Sequence, residues 1–168
     1  MTPEQEQEAR LGEMARKRCK LQRKAMEEAG LSPVDANILM IVLTQFIDIS
    51  TNVILSLPVH LRNLTMKLFL GEQEAVKSAQ DTHGHLSPEI MPQLEEIALA
   101  QMKNQEELLA RENVVGEERE RVNLALLMLN SWMVGMIGSM PSPMVSLFGK
   151  LSLDQFRELI EVHGGRQN

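Results

Sequence analysis

Two long apolar stretches limit what this chain can fold into. Ile38 to Leu57 carries a single charge, Asp48, and Val122 to Gly149 carries none, while the segments around them are densely charged. Each helix-length run closes on a similar stop, Ser56-Leu57-Pro58 and Ser139-Met140-Pro141. Stretches this apolar must leave water, packing against each other or in lipid. Neither outcome identifies an activity.

The rest of the composition favours helices. Ala, Leu, Met, Glu, Gln, Lys and Arg dominate outside the loops, and no convincing run alternates β-branched or aromatic residues with polar ones. At 168 residues, one core and one domain are expected. Four Phe, one Trp and no Tyr stand beside 12 Met, so aliphatic and thioether side chains are expected to fill the interior. The predicted fold is an all-α, single-domain bundle of about six helices over residues 1–168. Its two apolar helices are expected at the centre, and residues 1–30 are expected to form a peripheral charged helix.

Local signals place the elements. Thr2 or Pro3 can start a helix that runs to Ala29, with Gly30 at the stop. Ser32-Pro33-Val34-Asp35 supplies a capping hydroxyl, Pro at the first helical position and an acid in the first turn of a helix reaching Leu57. Pro58 opens a third helix ending near Gly71 or continuing to Ala79, and Asp81-Thr82-His83-Gly84-His85 reads as a loop. A helix is expected from Pro92 to about Asn113, and another from Glu117 to about Ser139. After a short Met144 to Phe148 segment, Ser152-Leu153-Asp154-Gln155 matches a capping box for a last helix. The order charged helix, apolar helix, Ser-x-Pro and amphipathic helix occurs twice, which hints at an internal two-fold pseudo-repeat.

The first apolar run is long enough to span a bilayer. Gln45, Asp48 and Asn52 fall at helical spacing and form a polar stripe along it, and a charge in mid-span is unfavourable by roughly 2.5–3.5 kcal/mol. The flanking amphipathic helices also need a protein core to cover their apolar faces. A soluble bundle is therefore the leading expectation and membrane association the alternative. In a soluble bundle, Asp48 should reach the surface or find a hydrogen-bonding partner.

A net charge of -6 argues against general affinity for nucleic acid. Met1 to Glu28 lacks the apolar segment of a secretory signal, and the single cysteine, Cys19, cannot form an internal disulfide, so a cytoplasmic setting is expected. Arg16, Lys17, Arg18, Lys20, Arg23 and Lys24 form a basic face that suits a solvated helix or an acidic partner. A helix-turn-helix regulator, with Arg62, Asn63 and Lys67 on its recognition helix, is a weaker reading.

His83, His85 and Asp81 are the weak metal-ligand candidates, and without further ligands they define no closed site. No glycine-rich phosphate loop, nucleophile elbow, His-Glu-x-x-His pair or paired-cysteine site occurs, so neither catalysis nor a cofactor is expected. The favoured functional reading is a non-enzymatic binding or adaptor protein that self-associates. Its candidate contact is the charge-free, Met-rich run with Trp132, Met133, Met136, Met140, Met144 and Phe148. The partner protein is not identifiable from the residues.

Overall fold

The computed structural model describes residues 2–83 and 91–164, which form six α-helices and, among the described residues, no strand. They are α1 (Pro3–Glu28), α2 (Pro33–Leu55), α3 (Val59–His83), α4 (Met91–Arg111), α5 (Gly116–Ser139) and α6 (Ser142–Gly164). This is the all-α bundle that the composition predicts.

Local chemistry sets most boundaries. At the start of α1, the Thr2 hydroxyl accepts from the Gln5 N–H (3.3 Å) while Gln5 Oε1 accepts from the Thr2 N–H (2.9 Å), a reciprocal cap. Ser32 caps α2 in the expected way, accepting from the Asp35 N–H at 3.2 Å. Gly30 ends α1 in the left-handed conformation (φ 72°), and the Leu31 N–H closes the turn onto the Met26 carbonyl at 3.1 Å. Asn113 does the same after α4 with φ 55°, the Val114 N–H donating to the Leu109 carbonyl at 2.9 Å. Asn tolerates this region better than other residues with a Cβ.

α2 is the central helix and packs against α1, α3, α5 and α6. Leu39, Val42, Leu43, Phe46, Val53 and Ile54 supply its buried side. α3 and α6 form the most extensive pair, and α4 lies chiefly on α3. The core centre is aromatic rather than purely aliphatic. The Phe46 ring stacks on Trp132 (5.4 Å between centroids) and also meets Phe69 (6.2 Å), Phe148 (6.1 Å) and Phe156 (5.9 Å). All five aromatic residues of the chain thus converge on one point from four helices.

Two local expectations are corrected. The segment Asp81-Thr82-His83 continues α3 instead of forming a loop. Ser152-Leu153-Asp154-Gln155 starts nothing, because α6 runs unbroken from Ser142 and the Ser152 hydroxyl donates back to the Gly149 carbonyl at 3.1 Å. Burial decides the second case: Phe148, Leu151, Leu153 and Phe156 all lie in the interior, and one continuous helix carries them there.

Candidate functional site

α5 is apolar on two opposite faces. Val122, Ala125, Leu126, Leu129 and Met133 recur at helical spacing and are buried against α2 and α3. On the opposite side, Leu124, Leu127, Met128 and Val134 are 57, 63, 51 and 70% exposed. Ser131, Gly135 and Gly138 lie on this same outer arc and are also exposed. The arc from residue 124 to 138 is about 21 Å long at 1.5 Å per residue, and it contains no charged residue. Apart from Ser131 the arc is apolar, and it faces outward from the bundle.

Its shape is uneven along the axis. The N-terminal half bears the bulky Leu124, Leu127 and Met128, and the C-terminal half bears Val134 beside the small Ser131, Gly135 and Gly138. A Cβ built at Gly135 or Gly138 meets nothing within 4 Å, so packing inside this chain does not require glycine at either position. Glycine in a helix costs roughly 0.5–1 kcal/mol relative to Ala. The property it gives here is a low surface that permits close approach of another helix.

α5 is fixed to its neighbours by polar groups as well as by the core. Asn130 Nδ2 donates to Glu72 Oε2 at 2.7 Å, and Gln73 Nε2 donates to Asn130 Oδ1 at 2.8 Å. Toward α4, Gln105 Nε2 donates to Asn123 Oδ1 (3.3 Å) and Arg119 pairs with Glu106 (3.0 Å). Burial raises the Glu72 carboxyl above its ordinary pKa, and the Asn130 bond only partly offsets this. The folded chain therefore holds that proton more tightly than the unfolded chain does. The resulting stability is complete below the ordinary carboxylate pKa and is lost as pH rises through the raised one. Glu72→Gln, whose amide oxygen can still accept from Asn130, is expected to be more stable than wild type at pH 7 and to show less decline between pH 4 and 7. Urea melts at the two pH values check this.

The residues singled out from the sequence are distributed differently. Met133, Met144 and Phe148 are buried, and Trp132, Met136 and Met140 are half-buried against the core. The Met-rich run therefore packs on the interior, and on α5 the exposed large apolar side chains are its neighbours Leu124, Leu127, Met128 and Val134. These four were legible only as a second apolar period on the same helix, with nothing local to say which face turns inward. Both apolar helices pack within the bundle as expected, and each buries one side and exposes the other, α2 through Ile38, Ile41 and Leu55.

Gln45, Asp48 and Asn52 all face outward on α2, so Asp48 reaches the surface of the chain. The basic residues Arg16, Lys17, Lys20, Arg23 and Lys24 are exposed on α1, whereas Arg18 is half-buried and pairs with Glu158 on α6 at 3.1 Å. Cys19 is exposed among them. On α3, the Arg62 guanidinium caps the end of α2, donating through Nε to the Leu57 carbonyl and through Nη2 to the Leu55 carbonyl, both at 2.9 Å. Those bonds hold the Arg62 guanidinium at the junction of α2 and α3. Asp81 and His83 are helical in backbone, and His85 lies outside the described residues. Among the described residues, no group of three His, Cys, Asp or Glu side chains is placed to hold a metal ion.

Among the described residues, α2 and α5 are the two helices long and apolar enough to cross a membrane. Compared with known proteins, the chain matches no family model, no curated protein and no solved structure.

Proposed function

We propose that this is a non-enzymatic interaction protein of the cytoplasm that pairs with a second copy of itself through the outer face of α5. The observation that carries this reading is the self-complementary stripe from Leu124 to Gly138. Turned antiparallel about an axis at Ser131, the bulky half of one stripe lies over the small half of the other. Leu124 then faces Gly138 and Met128 faces Val134, each contact occurring twice. A two-fold interface requires such self-complementarity. Ser131 and Gly135 let the helices approach closely at the crossing point. An adaptor role follows, because pairing covers α5 and leaves the basic face of α1 available to an acidic partner.

A membrane-inserted protein is the second reading, favoured by the length and apolarity of α2 and α5. Gln45, Asp48 and Asn52 on the outward face of α2 weigh against it, since in a span they would face hydrocarbon or need partners there. Sedimentation equilibrium of the native protein distinguishes the two. The expected result is a detergent-free species of twice the 18.9 kDa chain mass. Recovery of the expressed protein only in alkaline-washed membranes would contradict the dimer.

A further inference from the structure

We propose that the cleft between α2, α3 and α6 is a binding site for a small amphiphilic carboxylate, its chain lying among apolar side chains and its head group held by Ser50, Asn63 and Arg62. The cleft has a volume of about 260 Å³, just below the roughly 300–1,000 Å³ of drug-sized pockets and so suited to a small ligand. Ile54, Met66, Phe156 and Leu159 are among its apolar lining residues.

The polar groups give it chemical definition. Ser50 Oγ and Asn63 Oδ1 are buried, line the cleft and have no hydrogen-bond partner among the described residues. A serine or threonine within a helix can satisfy its hydroxyl on the carbonyl one turn back, as Thr44 does on Met40 (2.9 Å) and Thr65 on Leu61 (2.8 Å). Ser50, only 1% exposed, does not. An orphaned hydroxyl and an orphaned amide oxygen beside one cavity cost stability without return unless something enters to bond them.

Charge selects the occupant. Arg62 lines the same cleft, and among the described residues no carboxylate pairs with it. Its two hydrogen bonds go to backbone carbonyls, which fix the guanidinium in place without neutralising it. A carboxylate accepts from the Ser50 hydroxyl and is attracted by Arg62. A half-turn of the Asn63 amide replaces its oxygen by Nδ2, a third donor. An aliphatic chain on that carboxylate matches the remaining wall. An ammonium head group would meet the wrong charge, and an alcohol would leave the cation unanswered.

The test uses sodium decanoate, below its micellar concentration, titrated into the full-length protein by calorimetry and by amide NMR shifts. Saturable one-to-one binding is expected, with shifts centred on Ser50, Asn63 and Leu159. Decanol and decylammonium should bind at least about tenfold more weakly. Ser50→Ala and Arg62→Gln should each weaken decanoate about tenfold. Removing an unsatisfied hydroxyl should also raise the melting temperature of ligand-free Ser50→Ala by about 2–4 °C, a stability change opposite in sign to the affinity change. Ile54→Trp, which fills the cleft, should abolish binding in a protein whose circular dichroism shows it folded. No saturable binding, decanol binding as tightly as decanoate, or Ser50→Ala and Arg62→Gln leaving the affinity unchanged would overturn the proposal. Val134→Glu should bind decanoate like wild type, so the site stands or falls independently of dimerisation.

Discussion

Phe46→Ala is expected to destabilise the fold by about 3–5 kcal/mol, the cost of emptying a large aromatic site in a packed core. For a chain of this size, that lowers the melting temperature by roughly 6–20 °C. Phe46 is almost wholly buried on the central helix, and its ring contacts Phe69 of α3, Trp132 of α5, and Phe148 and Phe156 of α6. One substitution therefore removes contacts with three other helices at once. Aromatic pairs contribute roughly 0.5–1.5 kcal/mol beyond the area they bury, which places this site at the upper end of core truncations. Leu43→Ala, equally buried one turn earlier but outside the ring cluster, should cost less. Thermal melts of the two variants give the comparison, and equal losses would mean that the ring cluster has no special weight.

Much of this architecture is legible in the residues because its signals are local. Thr2 with Gln5, Ser32 with Asp35, and Gly30 each satisfy backbone groups within a few residues, so helix starts and stops are marked where they fall. The pattern at Ser152 misleads for the same reason. A capping box states what a serine can do at a helix start, while burial of Phe148, Leu151, Leu153 and Phe156 decides that no start occurs there. Pro143 lies in the first turn of α6, where its missing N–H is no loss.

The aromatic cluster could not be anticipated from composition. Five rings in 168 residues suggest a diluted feature, and only the packing of α2, α3, α5 and α6 gathers them. The candidate site was half legible. The second apolar stretch holds both the expected and the proposed contact residues, but with apolar residues all round α5 the sequence period does not choose the buried face. The choice comes from tertiary contacts with α2 and α3, and from the bonds of Asn130 to Glu72 and Gln73 that fix the helix's rotation.

Val134→Glu is expected to convert the proposed dimer to monomer while leaving the fold intact. Val134 is 70% exposed in the single chain, so a carboxylate there stays hydrated and disturbs no intrachain packing. In the antiparallel pair it would lie against Met128 of the second copy, with no cation on the stripe to answer it. An unpaired charge forced into an interface costs about 3–5 kcal/mol, and the two-fold axis imposes it twice. Each 1.4 kcal/mol is tenfold in Kd, so weakening by more than about 100-fold is expected. Sedimentation equilibrium should return 18.9 kDa with an unchanged circular dichroism spectrum. Asp48→Asn, on the outward face of α2, should leave the dimer as it is.

The most direct measurement is disulfide trapping in a background where the exposed Cys19 is replaced by Ser. Ser131→Cys places a thiol at the proposed axis, where two closely approaching helices bring its Cα atoms near the 4.4–6.8 Å that a disulfide needs. Leu124→Cys lies about 10 Å along the helix from that axis, and its counterpart is displaced equally in the other direction. Mild oxidation should therefore link Ser131→Cys into a covalent dimer and leave Leu124→Cys monomeric. Equal linking of both would show a parallel pairing, and linking of neither would show that the outer face of α5 does not meet itself; either result contradicts the antiparallel dimer.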